Sequence, residues 1–276
     1  MRPQDFAPRQ PYAVMAAAYD VDAQAIIDDV LLAGGTLSNS DKAAINDFVL
    51  GAKAASLWAR LIDGTLMVGG TAAAVQVDFV RHGQQCITSY TGPPTFSANG
   101  MQGNASTMWA LLYQNASAYT STNLAIDVFN ASNNIAGVNE YDYGAANAIF
   151  SELIQIRDVT SANGGNVVSG NGLGTDFVTS AGIVDTRGMH TCSRSGAVLT
   201  YYFRGNSVGS NGAIVSSTLP AIVPSLLARN HNATFEGRTA NLLQFYCARE
   251  SFSALETLTW YNLVYQLQVD LGRNTY

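Results

Sequence analysis

From Val75 onward, short apolar runs alternate with turns rich in Gly and Asn along most of the chain. Val75, Val77 and Phe79 are separated by polar residues, which is the two-residue period of a strand with one buried face. Later runs of the same kind cover 108–113, 124–129, 149–156 and 198–203. Turn sequences lie between them at 92–94, 99–100, 163–165, 170–172 and 209–212. Many short strands with such turns predict a mainly β fold, an antiparallel β-sandwich or jelly roll.

The beginning of the chain has a helical pattern instead. Asp20 or Asp22 is suited to cap a first helix. Ser38 or Ser40 is suited to start a second helix, whose three- and four-residue apolar spacing continues to Ile62. Two antiparallel helices joined by a short loop are the simplest interpretation.

The last helix is marked by a local signal. Ser253 and Glu256 have the spacing of a capping box, in which each side chain binds the other residue's free amide. Before residue 20 the prolines and arginines show no periodicity, so we expect an extended arm. The chain is thus predicted to consist of an arm over 1–19, a helical hairpin over 20–65 and a β-sandwich domain over 66–276 that ends in a helix.

The chain carries little charge. Charged residues make up 12% of it, about half the usual share, and the net charge is −6. Without a basic run, counterion release cannot drive binding to nucleic acid, and an anionic membrane surface is disfavoured as well. A neutral polar surface suits carbohydrate contact, and equally suits packing against neighbouring subunits. The three widely spaced cysteines are expected to be free and buried, with one long-range disulfide as the open alternative.

Three segments match a known pattern. They are 44–49 leading through 57–58 to 68–71, the hairpin strand 199–206, and the strand 245–249 followed by 253–256 and the helix 261–273. Together they resemble the concanavalin A-like, laminin-G-like sandwich found in phage virion structural proteins. The final strand, helix and Leu-Gly-Arg pattern is the most specific of the three, and 85–180 contains no motif of this family.

The resemblance implies a virion structural protein of the head, neck or tail. In this interpretation the arm and helices attach it to other virion proteins and to copies of itself, and the lectin-like sandwich is displayed outward. A carbohydrate- or receptor-binding adhesin of the tail-fibre or spike type, with a host-surface glycan as its partner, is the alternative. A glycoside hydrolase is a third interpretation, and a likeness of fold does not decide among them.

The hydrolase interpretation requires two carboxylates on one strand face. Glu140 and Asp142 have that spacing, but Gly144 stands where a third acid of the pattern would be. Solvated acids beside a turn are the simpler interpretation. His190 and Cys192 would share a strand face, yet they supply two of the roughly four ligands that zinc takes. We therefore expect no catalytic residue, no metal site and no cofactor.

Tyr141, Asp142 and Tyr143 are the candidate ligand-binding residues. Alternate residues share a strand face, so Tyr141 and Tyr143 would lie side by side next to a turn. Exposed aromatic rings offer a flat apolar surface and a hydroxyl, both of which suit a sugar. A core position for the rings is the competing interpretation, because half of each strand faces inward. The sequence thus predicts a sugar or protein contact at these three residues.

Overall fold

The protein is a sandwich of two β-sheets with helices on one side. The computed structural model describes residues 18–92, 94–133, 140–146, 151–157, 166–170, 177–179, 183, 185–214 and 219–273. The predicted mainly β sandwich with helices at its beginning and end is confirmed. The strands in chain order are β1 (Leu61–Thr65), β2 (Ile87–Thr91), β3 (Thr95–Ser97), β4 (Gly100–Gln102), β5 (Trp109–Leu112), β6 (Asn123–Asn130), β7 (Glu140–Ala146), β8 (Ser151–Arg157), β9 (Asn166–Gly170), β10 (Phe177–Thr179), β11 (Gly188–Ser195), β12 (Val198–Phe203), β13 (Asn206–Asn211), β14 (Ser225–Leu226), β15 (Arg229–His231), β16 (Thr234–Glu236) and β17 (Leu242–Arg249).

The helices begin at the predicted caps. They are α1 (Val21–Leu32), α2 (Asn39–Ala54), the short α3 (Ala72–Val75) and α4 (Ala254–Asp270), with 3₁₀ turns at Trp58–Arg60 and Ala116–Ala118. The Asp20 carboxylate accepts the Asp22 amide, while Ser38 and Ser253 form capping boxes with Asp41 and Glu256. These side chains satisfy amides that the first turn of a helix leaves free, which fixes where each helix begins.

The sandwich consists of an eight-stranded and a nine-stranded sheet. The eight-stranded sheet has the order β13-β12-β11-β6-β17-β4-β3, with β1 also paired to β17. The nine-stranded sheet has the order β10-β9-β8-β7-β14-β5-β2, and β15 and β16 form a hairpin beside β7. β15 pairs with β7 in parallel, and the other pairings among the described strands are antiparallel. The parallel pairing sets the hairpin apart from the antiparallel order of the rest of the sheet.

Alternation along β6 shows where the two apolar cores lie. Ile126 and Val128 point into the space between the sheets. Phe129, on the opposite face of the same strand, joins a second cluster with side chains of α1, α2 and α4. We call these three helices the helical layer. The eight-stranded sheet is thus buried on both faces, which explains why β6 reads as an almost continuous apolar run.

One predicted strand is wrong. The alternation at 75–79 does not form a strand, because Ala72–Val75 is the helix α3. Phe79 instead packs against Phe48 and Phe245, with ring centroids 6.0 and 5.7 Å apart, inside the cluster below the helical layer. Phe79 is therefore buried between α2 and β17, although it does not itself belong to a strand.

The second helix ends earlier than predicted, at Ala54. Ser56 takes a left-handed conformation with φ of 59°, which stops the helix without the glycine that usually marks such a stop. The segment Leu61–Thr65 is the strand β1, paired with β17. The segment 20–65, predicted to be a helical hairpin, therefore contributes a strand to the sheet and shares a core with it.

Three other observations complete the fold. Most of the predicted arm, residues 1–17, lies outside the described residues. Cys86, Cys192 and Cys247 are buried thiols and form no disulfide within the described residues. Within the described part of the chain, no helix has the length and apolar character needed to cross a bilayer.

Candidate functional site

The β15–β16 hairpin carries the candidate site. Arg229 lies opposite Glu236 in its register, and His231 lies opposite Thr234. Between the two strands, Asn232 and Ala233 both take left-handed conformations, with φ of 50° and 66°. This is the backbone of the tight turns that match the twist of paired strands. The hairpin thus holds its charged side chains in fixed register.

Gly144 allows the hairpin to lie close to β7. A Cβ atom at this position would come within 3.1 Å of both Cβ and Cγ of Arg229. Asn230 and Ala145 are paired at the same level of the two strands. The residue that departs from the glycosidase acid pattern therefore has a structural role, since a side chain there would press against the base of Arg229.

Arg229, His231 and Glu236 form an ionic cluster. Arg229 Nε donates to Glu236 Oε1 at 3.0 Å, its Nη2 donates to the same oxygen, and His231 Nδ1 lies 2.9 Å from it. Desolvation raises the pKa of Glu236, but the hydrogen bond and charge of Arg229, with those of His231, outweigh it and hold the pKa below its ordinary value. Glu236 is therefore a carboxylate at neutral pH, and its Oε2 has no donor among the described residues.

Each strand of the hairpin makes an aromatic contact. The rings of Trp109 and Phe235 are stacked, with centroids 3.6 Å apart and planes 11° apart. The Arg229 guanidinium lies 4.8 Å from the centroid of the Tyr141 ring. Such a cation–aromatic contact orients the guanidinium. We call Trp109, Tyr141, Arg229, His231, Phe235 and Glu236 together the hairpin site.

The hairpin site presents hydrogen-bond donors and acceptors at the protein surface, and contacts beneath them fix their positions. The side chains of His231 and Glu236 are each 39% exposed, whereas that of Arg229 is 21% exposed. A planar guanidinium and a carboxylate side by side can bind a pair of neighbouring hydroxyl groups, one as acceptor and one as donor. The half-buried Trp109 and Phe235 form an apolar stack on the same hairpin.

The three predicted residues lie inside the protein. Tyr141 is 5% exposed, and Asp142 and Tyr143 are fully buried. The predicted shared face of the two rings is wrong, because the register of β7 against β8 shifts between Tyr141 and Tyr143. Tyr143 enters the core between the sheets, whereas Tyr141 lies under Arg229. The exposed rings that a sugar contact would need are not found here, and direct ligand contact by these residues stays a prediction.

Asp142 has a structural environment. Its Oδ1 accepts a hydrogen bond from Asn241 Nδ2 at 2.8 Å. Burial raises the pKa of Asp142 to about 8; the hydrogen bond from Asn241 opposes this, and Glu140 adds to it. A carboxyl group with this pKa is largely protonated at neutral pH, so it is a poor candidate for the ionised nucleophile of a hydrolase.

The predicted histidine and cysteine pair is buried as well. His190 Nδ1 lies 2.5 Å from the Tyr201 hydroxyl, and its Nε2 lies 2.7 Å from the Thr186 carbonyl. Desolvation lowers the pKa of His190 to about 4. Both ring nitrogens thus have protein partners and neither is available to a metal. Across the described ranges, no three His, Cys, Asp or Glu side chains come together in a metal-binding arrangement.

Sequence reasoning missed every polar member of the hairpin site. Arg229 and His231 are two residues apart on either side of Asn230, and Asn232 follows in the turn. This alternation before a turn residue is a weak hairpin signal. The position of Glu236 opposite Arg229 depends on the turn length, and the Tyr141 contact depends on the pairing with β7.

No protein-family model matches the chain, and no curated protein matches it. Among solved structures, the binding domain of botulinum neurotoxin serotype D is similar, with a TM-score of 0.53 and 10% identity over 75% of this chain and 52% of that one. A Trypanosoma rangeli sialidase mutant displaying trans-sialidase activity has a TM-score of 0.52 and 10% identity over 82% of this chain and 39% of that one. The chain thus spans about half of the first protein and two fifths of the second.

A third similar structure is domain 4 of AbnA, an extracellular arabinanase from Geobacillus stearothermophilus, in complex with arabinotriose. Its TM-score is 0.48, with 9% identity over 73% of this chain and 98% of that one. At such low identities the similarity of the neurotoxin domain and the sialidase shows a shared β-sandwich fold and nothing finer.

Proposed function

We propose that this chain is a carbohydrate-binding β-sandwich module and that it binds sugar hydroxyl groups at the hairpin site. The observation that carries the proposal is the ionic cluster of Arg229, His231 and Glu236. Its members are partly exposed, are fixed by the hairpin register, and leave Glu236 Oε2 without a protein donor among the described residues. A sugar hydroxyl donating to that oxygen would complete the hydrogen bonding of the carboxylate.

The structural neighbours support this proposal through their folds. One is the binding domain of a neurotoxin and the other is a sialidase with trans-sialidase activity, so proteins with this sandwich include binding modules and sugar-processing enzymes.

We further propose that the module binds without hydrolysing. A glycosidase of the common type uses two carboxyl groups on either side of the scissile bond. Glu236 is the one carboxylate of the hairpin site. Of the two acids of the neighbouring strand β7, Asp142 is fully buried and Glu140 is only partly exposed. Hydrolysis of a bound oligosaccharide by the wild-type chain, lost in Glu236→Gln, would overturn this part of the proposal.

A glycan array with the full chain tests binding. We expect wild-type binding to a defined set of glycans and about tenfold weaker affinity for Glu236→Gln, which removes a charged acceptor of similar shape. Glu250→Gln is the matched control, because it removes the same charge from a half-exposed carboxylate on the opposite side of the sandwich that meets Arg60 at 3.4 Å. An array without any bound glycan, or equal affinities of both variants and wild type, would contradict the proposal.

Display on a phage particle is the second candidate function. It is supported by the resemblance of the two ends of the chain to phage sandwich proteins and by exposed apolar side chains on the helical layer. Val21 is 76% exposed and Leu32 is 88% exposed. If the arm and helices attach the chain to a particle, deletion of 1–19 should abolish incorporation, and unchanged incorporation would remove the arm from the assembly.

A further inference from the structure

A cavity of about 130 Å³ lies where the end of α4 meets the start of α2. A volume of this size holds several water molecules or one small organic molecule. It belongs to the helical side of the protein, separate from the hairpin site. We call it the Arg273 pocket, and the residues that matter for it are Thr36, Asp41, Gly69, Gly70, Leu271 and Arg273.

Arg273 is the most deeply buried polar side chain of the pocket, at 3% exposed. Its Nε donates to the Ala98 carbonyl at 2.6 Å, and its Nη2 donates to the Met67 carbonyl at 2.7 Å. Nη1 meets the Leu66 carbonyl at 3.2 Å and, at longer distance, two further oxygens. The second hydrogen of Nη2 has no acceptor among the described residues. The Arg273 guanidinium, bound by carbonyl oxygens, thus keeps one N–H of Nη2 unpaired at the wall of the cavity.

Asp41 supplies the opposite charge without forming an ion pair. Its Oδ2 accepts the Ser38 amide at 2.8 Å as part of the α2 cap, and its Oδ1 has no donor among the described residues. Burial lowers the pKa of Arg273 to about 10, and the charge of Asp41 opposes that change. The two charges therefore face one cavity and cancel, so its walls carry no net charge to favour a free anion or cation.

Neutral donors line the remaining polar wall. Gly69 and Gly70 have φ of 84° and 72°, a conformation that side-chain-bearing residues rarely take. Neither amide donates to an acceptor in the described part of the chain, and the Thr36 hydroxyl likewise has no partner there. Unpaired donors and acceptors beside a small cavity favour a molecule that satisfies several of them together.

We propose that the Arg273 pocket binds a small neutral molecule or group with adjacent hydroxyls, a vicinal diol. One hydroxyl accepts from Arg273 Nη2 and the next donates to Asp41 Oδ1, with the Thr36 hydroxyl and the glycine amides as further partners. Apolar contact comes from Leu271 and its neighbours on the wall. The site is independent of the hairpin site, and so of the proposed function.

Glycerol is the probe. With the isotope-labelled full chain, we expect saturable shifts of the Gly69 and Gly70 amide resonances, with a dissociation constant on the order of 1–10 mM because so small a ligand makes few contacts. Trimethylene glycol, whose hydroxyls are not adjacent, is the matched ligand control and should give no saturable shift. Equal shifts with both compounds, or tighter binding of glycine than of glycerol, would overturn the proposal.

Two variants locate the ligand. Asp41→Asn keeps an acceptor for the Ser38 amide but removes the charge, and we expect glycerol to bind about tenfold more weakly. Asp47→Asn changes an exposed carboxylate on the same helix and should leave the affinity within about twofold. Equal affinities of the two variants would also overturn it. Glu236→Gln, at the hairpin site, should not change glycerol binding, which keeps the two sites distinguishable.

Discussion

The indole Nε1 of Trp260 donates to Oδ2 of Asp127 at 2.9 Å, and this bond joins helix α4 to strand β6 through two fully buried side chains. The same carboxylate accepts Arg249 Nε at 2.7 Å and the Thr191 hydroxyl at 2.6 Å. One acidic group thus connects three adjacent strands and the last helix. Because every partner lies out of contact with water, the group can be removed only at a large cost.

Asp127→Asn should lower the free energy of unfolding by about 3–5 kcal/mol, since it leaves the buried Arg249 guanidinium without a counter-charge. Urea unfolding followed by circular dichroism measures the change. Trp260→Phe removes one hydrogen bond and some volume but no charge, so it should cost less. A loss below about 1 kcal/mol for Asp127→Asn would mean that water reaches this site.

Gly64→Ala should destabilise the sandwich, because a Cβ atom there would lie 2.6 Å from the Tyr246 carbonyl and 2.4 Å from the Phe79 ring. Overpacking of this kind costs about 1–3 kcal/mol. Gly51→Ala is the matched comparison within α2: its Cβ would meet the end of the flexible Leu263 side chain, and alanine favours the helix by about 1 kcal/mol. Thermal unfolding should therefore separate the two variants, and equal melting temperatures would contradict the backbone clash.

Asp142→Asn should change how stability depends on pH. Burial holds the pKa of Asp142 at about 8 in the folded chain, against about 4 in the unfolded chain, so the folded state binds the extra proton between these values. Wild-type stability therefore falls as pH rises through that window, and the neutral asparagine removes this loss. Relative to wild type, the free energy of unfolding of the variant should rise by on the order of 1 kcal/mol per pH unit between about pH 5 and 7. A difference that stays constant with pH in urea titrations would contradict a protonated Asp142.

Ala233→Gly should stabilise the hairpin site. Ala233 has φ of 66°, where a Cβ atom costs roughly 1–2 kcal/mol, and part of the gain from glycine is lost to its greater freedom when unfolded. We expect a net increase of about 0.5 kcal/mol in unfolding free energy and no loss of glycan affinity. Slower amide hydrogen exchange at Asn232 and Thr234 would report the same effect locally, and faster exchange would contradict it.

Elements with a local cause could be predicted from the sequence. Ser38 and Ser253 cap their helices through bonds to residues three positions away, so the signal and the structure share one short segment. The end of α2 could not be predicted in this way. Ser56 takes the conformation that glycine usually marks, and the strand at Leu61–Thr65 forms because β17 lies beside it.

The candidate site is formed by residues that are far apart in the chain. The sequence therefore predicts Tyr141 but not Arg229, His231 or Glu236. The spacing of Tyr141 and Tyr143 predicts a shared strand face, but an irregular register of β7 separates the two rings. The Tyr141 ring contacts Arg229, which is far along the chain and reaches it because β15 pairs with β7. Neither the bulge nor that pairing has a marker in the local sequence.

The helical layer makes the two faces of the sandwich different. α1, α2 and α4 occupy the outer side of the eight-stranded sheet, whereas the hairpin belongs to the other sheet. Arg229 and Glu236 therefore stay accessible when the helical layer is in contact with another surface. Attachment through the helical side would leave the hairpin pointing away from whatever holds the protein, and the orientation would follow from the fold itself without a dedicated hinge or linker.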